Sequence, residues 1–158
     1  MPRLFAFSGV QHLQNIHPLL VHFPIALLFT AAGLDLLGWM FRCNQSLRFV
    51  ATVLYVLGTL TMVPTYFIGR EAAATIWLPG MAHAAVKEHW DWAFRTAWFF
   101  GILTMVRLVL LWRARANPRP ALIAVLTLAG LVGVVLLGKT GDRGGRLVYE
   151  YGVGIARE

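Results

Sequence analysis

Four apolar stretches, each about as long as a bilayer is thick, constrain this chain more than any other feature. They run from Pro18 to Phe41, Phe49 to Ile68, Trp90 to Trp112 and Ala121 to Leu137. A hydrocarbon core of ~30 Å is crossed by about 20 apolar residues in helical form. Lipid offers no hydrogen-bond partners, so such a run closes its own backbone bonds as an α-helix. Composition agrees: 58% of the 158 residues are hydrophobic and only 13% are charged, where a soluble domain carries about 25% charged residues. A water-soluble fold and a disordered chain are both excluded. The expected architecture is an all-α, integral membrane four-helix bundle over residues 1–158, a single domain ending in a short Gly-rich tail.

Pro64 is expected to kink the end of the second span, and the fourth span is short and glycine-containing (LAGLVGVV). No internal repeat, linker or low-complexity segment is apparent. The opening MPRLFAFSGVQHLQN has too short an apolar run, and no small-residue cleavage site, for a secretory signal.

The charge balance bears on partners and orientation. The net charge is +7, but the basic residues sit between apolar runs and form no contiguous patch, which argues for membrane lipids as the partner and for no nucleic acid. A single cysteine, Cys43, excludes an intrachain disulfide and any Cys-based zinc, iron–sulfur or covalent c-type haem site. Two short connections hold Arg42, Arg48, Arg113, Arg115 and Arg119 with no acid, whereas the opposite side mixes Lys and Arg with all the loop acids. Lys and Arg concentrated in short loops mark the cytoplasmic face. Four spans then place both termini on the other side.

All five histidines fall at that non-cytoplasmic end. His12 precedes the first span, His17 and His22 occupy its first turns, His83 lies in the long outer loop and His89 starts the third span. A polar ring within an apolar run, as at His22, marks a site or a partner. His17 and His22 are five residues apart, so on a helix they point about 140° away from each other and grip one metal together poorly. Two histidines from different helices holding a flat cofactor suit this pattern better, as in a haem with two axial imidazoles inside a four-helix bundle. His22 and His89 are the expected axial pair, with His17 the substitute and His83 a further candidate.

Arg70, Arg143 and Arg146, with Arg95 and Lys139, are available for haem propionates, and Trp90, Trp92 and Trp98 for packing a porphyrin. Arg95 also has Asp91 one turn away as an i, i+4 partner. A copper or zinc site from His17, His22 and His89 is the alternative, since imidazole suits both metals. A non-redox scaffold or assembly subunit with structural histidines and no cofactor is another.

Two further features carry expectations. Asp35 in the first span and Arg107 in the third lie at matching depths, and a charge in lipid needs a partner, so an interhelical ion pair is expected, with a proton-relay carboxylate at Asp35 as the alternative. The tail KTGDRGGRLVYEYGVGIARE contains glycines that interrupt a helix, and LVYEYGV alternates as a strand does. Such a tail would fold over the mouth of the site.

The stretches HPLLVHFPIALLFTAAGLDLL and GGRLVYEYGVG resemble the opening (HPxxVHFPI) and ending (GGxLVYxxGVG) of a bacterial family of predicted four-helix membrane proteins of unknown function. The similarity spans nearly the whole chain and falls on His17, Pro18, His22, Phe23, Pro24, Gly69, His89, Gly144, Gly145, Leu147, Tyr149 and Gly152. The resemblance implies the fold and a bacterial inner-membrane location. Members of the family occur beside, or joined to, periplasmic cytochrome c or Rieske-type modules, which implies a redox setting. The functional expectation is a b-type haem protein, or a subunit of a larger respiratory or photosynthetic complex, passing electrons between quinol and a periplasmic carrier. No nucleophile, base and orienting group come together in the sequence, so an electron-transfer or anchoring subunit is expected rather than a stand-alone enzyme.

Overall fold

A computed structural model describes residues 16–41, 45–75, 78, 80–113 and 119–153. They form α1 (His17–Leu20) and α2 (His22–Met40), which together make one span, then α3 (Gln45–Thr75), α4 (Ala82–Arg113) and α5 (Pro120–Tyr149). Four helical units are long and apolar enough to cross a membrane, and no strand occurs among the described residues. The expected all-α four-helix architecture is therefore the observed one. His12, Arg42, Cys43 and Arg115 lie outside the described residues.

The break between α1 and α2 follows from proline chemistry. Pro18 sits in the first turn, where a missing N–H costs nothing. Pro24 has no N–H to donate to the Leu20 carbonyl, and the helix is interrupted one turn earlier, at Val21. Pro64 lies inside α3 without ending it.

The helices run alternately up and down, each packing on its two neighbours: α2 on α3 and α5, α4 on α3 and α5. The core is narrow. Leu28, Ala31, Ala32, Tyr55, Phe100, Leu103 and Leu137 fill it, and the close approach is made at glycines. A Cβ on Gly58 would lie 2.7 Å from the Leu28 side chain, and one on Gly133 would lie 2.6 Å from Phe100. Small residues at helix contacts are how membrane helices pack without a hydrophobic drive between them. Threonine pairs add cross-links, Thr59 to Thr104 at 2.9 Å and Thr96 to Thr140 at 2.8 Å. Phe29, Leu60, Ile102 and Val125, one from each span, are about 60% exposed on the outer surface, the arrangement of a bundle whose solvent is lipid.

Two expectations about helix ends are corrected. α4 begins at Ala82 rather than near Trp90, so His83 lies in its first turn, not in a loop. α5 continues through Gly138, Gly141, Gly144 and Gly145 to Tyr149, and LVYEYGV forms no strand. A glycine inside a helix costs only about 1 kcal/mol relative to alanine, and contact with α4 along this stretch offsets it. The helix ends at Tyr149, and the chain turns away at Gly152, whose φ of 64° is open to glycine at little cost. There the Gly152 and Val153 N–H groups donate to the Val148 and Leu147 carbonyls, and Val153 is buried.

Candidate functional site

The site is built at the end of the bundle where α1 and α4 begin and where α3 and α5 finish. His17 is the first residue of α1. Its ring lies against the turn of α3 that runs from Thr65 to Gly69. It faces the Thr65 carbonyl, and a Cβ on Gly69 would fall 2.6 Å from its Cε1. Gly69 is thus a glycine because the imidazole occupies the space of its side chain.

His89 stands two turns into α4 and repeats this arrangement on α5. Its Nδ1 is 3.1 Å from the Thr140 carbonyl, and a Cβ on Gly144 would lie 3.1 Å from its Cε1. A carbonyl can only accept, so Nδ1 carries the proton and Nε2 carries the lone pair in the neutral ring. An imidazole held this way is ready to coordinate, since ligating histidines donate their other N–H to a carbonyl or carboxylate that fixes the tautomer. The rings of His17 and His89 are half-buried and near enough for charge on His17 to be felt at His89. Their helices are diagonally opposed in the bundle and do not otherwise pack against each other at this end.

The remaining expected residues are placed differently. His22 is exposed on the outside of α2, with Nδ1 3.4 Å from the Leu19 carbonyl, so the structure brings His17 rather than His22 beside His89. The reason is rotational: the two positions point about 140° apart, and packing of Leu28 on Gly58 turns the His17 side inward. His83 is exposed, six residues before His89, or roughly 9 Å along the axis.

Every cation proposed for an anionic group has a neighbour of its own. Arg70 lies 5.7 Å over the Trp90 ring. Arg143 pairs with Glu88 at 3.0 Å and Arg146 with Glu150 at 2.9 Å. Arg95 and Lys139 both lie over Trp92, at 5.5 and 5.0 Å, so Arg95 is engaged by an aromatic face in place of the expected Asp91. Trp98 is 59% exposed and packs on Phe94 on the outer surface. A cleft of about 150 Å³ between the start of α4 and the end of α5 is lined by Ala84, Ala85, Glu88, Arg143, Arg146 and Tyr151. Neither site histidine lines it.

Sequence reasoning missed Thr65 and Thr140, whose backbone carbonyls face the two rings. A signal was present: each is followed four residues later by a glycine, and the chain repeats this T-x-x-x-G pattern at the same end of α3 and α5.

The opposite end carries the expected ion pair. Arg107 donates to both Asp35 oxygens, at 2.5 and 2.7 Å, and to the Thr52 hydroxyl at 3.3 Å. Its guanidinium also stacks 4.6 Å over the Tyr55 ring. Asp35 and Arg107 are 2% and 5% exposed, so each depends on the other for solvation.

No curated protein and no solved structure matches the chain. A family model described as "Predicted membrane protein (DUF2231)" matches residues 13–157, a range that takes in both histidines, both T-x-x-x-G turns and the buried ion pair. The chain is a member of this DUF2231 family of membrane proteins.

Proposed function

We propose that this protein is an electron-transfer or redox-anchoring subunit of the bacterial inner membrane, with haem b held between His17 and His89 at the periplasmic end. The observation that carries this reading is the placement of two imidazoles from diagonal helices at one end of the bundle, each backed by a glycine and facing a threonine carbonyl, with His89 hydrogen-bonded to that of Thr140. Axial ligation of haem needs two such donors and nothing else from the protein. Zinc asks for three or four protein ligands, and among the described residues no group of three or more His, Cys, Asp or Glu comes together. The donor set therefore fits haem better than zinc.

In this reading His17 and His89 would hold the iron, with the Thr140 carbonyl fixing the tautomer of His89 and the Thr65 carbonyl facing His17. When bound, haem supplies a reversible one-electron couple. Arg70 and Arg143 sit within one residue of the two backing glycines and offer charge to the propionates. Position at the membrane boundary suits exchange with quinol from the bilayer and with a cytochrome c or Rieske-type carrier outside it. The acid-free arginine loops support cytoplasmic connections and periplasmic termini.

The test is a reduced-minus-oxidised visible spectrum, with metal analysis, of protein purified from haem-replete cells. A low-spin six-coordinate spectrum is expected. His17→Ala and His89→Ala should each convert it to a five-coordinate or haem-free form, and His22→Ala should leave it intact. Absence of Soret and α bands overturns the haem reading, and stoichiometric copper in their place would assign the imidazoles to that metal. Reporter fusions at both termini and in the Arg113–Pro120 loop test the orientation, which cytoplasmic termini would reverse.

A further inference from the structure

The two histidines are not merely similar. His17 and Asp35 are 18 residues apart, and so are His89 and Arg107. Between these limits α2 buries the positions 7, 11, 14, 15 and 18 residues after its histidine, Pro24 to Asp35. α4 buries the same five after its own, Thr96 to Arg107. The returning helices agree as well. Both carry the pattern T-x5-G-x6-T-x3-G, from Thr52 to Gly69 in α3 and from Thr127 to Gly144 in α5. Within each hairpin the middle glycine of the pattern receives the residue 11 positions after the histidine, Leu28 on Gly58 and Phe100 on Gly133. The last threonine and glycine of each pattern receive the histidine itself.

Where two copies of a unit face each other around a twofold axis, a residue meets its own counterpart only on the axis. Two such meetings occur here. Asp35 grips Arg107 toward one end, and nearer the histidine end a Cβ on Gly130 would fall on the Tyr55 hydroxyl, Tyr55 and Gly130 being counterparts in α3 and α5. We infer that the chain is two copies of one helical hairpin related by a pseudo-twofold axis along the membrane normal, and that its site is two copies of one half-site. Each half-site is a histidine, a threonine carbonyl and a backing glycine. Parallel repeats of this kind place their shared site at the repeat interface. A site so built takes a ligand that offers equivalent faces to two imidazoles, a planar metal–macrocycle gripped along its normal. This ligand class rests on the haem reading above; the repeat does not.

The repeat is hidden in the sequence because only the residues in contact kept their identity. Over the stretches that start at His17 and His89, counterparts are mostly different apolar residues, and the pair at the far end has opposite charge. Opposite charge is what a twofold axis in lipid demands, because two identical charges meeting there would repel without water to screen them. It also makes the pairing of the halves unique, since neither hairpin can satisfy its charge with a copy of itself.

The repeat predicts an exchange experiment in the full-length chain. Asp35→Arg and Arg107→Asp, made singly, each bring like charges together and should lower the folded-to-unfolded ratio by more than about 100-fold. The double reversal should recover most of the loss, because Arg at 35 would find Thr127 where Arg107 now finds Thr52. Thr52→Val should then weaken the native chain more than Thr127→Val, and the order should invert in the reversed chain. A double reversal no more stable than the single ones, or one in which the threonine order stays the same, overturns the repeat. The half-sites have their own readout in the haem-loaded protein. His17→Gly and His89→Gly should lose haem to within about twofold of each other and regain it with free imidazole; loss at only one position overturns their equivalence. If the native protein binds no haem, the haem reading falls while the charge exchange still decides the repeat.

Discussion

The two ends of this bundle use polar residues in opposite ways. At the Asp35–Arg107 end the charges answer one another: two carboxylate–guanidinium bonds, a threonine acceptor and an aromatic face leave the pair almost wholly inaccessible. At the His17–His89 end each ring faces a helix carbonyl, His89 bonding to that of Thr140, and both are half-buried. A buried ion pair with every partner supplied is a structural device, whose removal in halves is costly and whose presence does no chemistry. The contrast separates a lock from a candidate site in one small membrane protein.

The largest effect should come from breaking the lock. Arg107→Ala or Asp35→Ala leaves an uncompensated buried charge and should cost roughly 3–5 kcal/mol, seen as a large fall in melting temperature in detergent. Replacing both with leucine should cost far less than either single change, because no charge is then stranded. If the single variants are as stable as the native chain, this end is not the lock.

The backing glycines sharpen the comparison at the other end. Gly69→Ala drives a methyl into the His17 ring and should cost roughly 1–3 kcal/mol by overpacking. Gly144→Ala, with 3.1 Å to His89 against 2.6 Å at Gly69, should cost less. Thermal unfolding ranks the two, and the reverse order would mean that His17 moves aside more freely than His89.

Histidine truncation is next in size. His89→Ala removes one hydrogen bond from a half-exposed ring and should lower stability by about 0.5–1.5 kcal/mol, with His17→Ala similar. His22→Ala should change stability by less than about 0.5 kcal/mol, and its spectrum should match that of the native protein. A His22 variant that unfolds or loses a chromophore would place the site on the outer face of α2.

The smallest effect is expected at Glu150, just beyond the last span. Hydrogen bonding from Arg146 holds its carboxyl below the ordinary range. A depressed carboxylate stabilises the fold above its unfolded-state pKa, and that contribution fades as pH falls through the folded-state value. Both side chains are exposed, where water screens the pair. Glu150→Gln should therefore leave the melting temperature unchanged at pH 7 and at pH 3, and a clear loss confined to pH 7 would show that the pair helps to anchor the end of α5.

The contrast between the ends also separates what could be read from the residues alone. Asp35 and Arg107 were legible as partners because depth along a helix is a local quantity, 1.5 Å per residue from a recognisable boundary, and lipid forces any charge at that depth to find another. The convergence of the histidines was legible for the same reason: alternating spans send the starts of the first and third helices to the same face. Helix ends were less legible. Hydropathy marks where lipid stops, not where the backbone stops being helical, so the first eight residues of α4 and the last twelve of α5 went unrecognised as helix. The glycines of α5 read as breakers because what they lose in propensity is regained only through contact with α4.

The choice between His17 and His22 shows the boundary most clearly. The sequence by itself determined that they point in different directions, because five residues on a helix always do. It also determined the four spans, the shared face of the histidines and the partner of Asp35, all of which follow from local hydropathy and rise per residue. Which histidine faces His89 depends on how the first span is rotated about its own axis. That rotation is set by Leu28 seating on Gly58 and by the Thr65–Gly69 turn receiving a ring, contacts between residues some 30 to 50 positions apart. Only the tertiary structure decided it, because an apolar helix in an apolar solvent has no preferred azimuth until another helix packs against it.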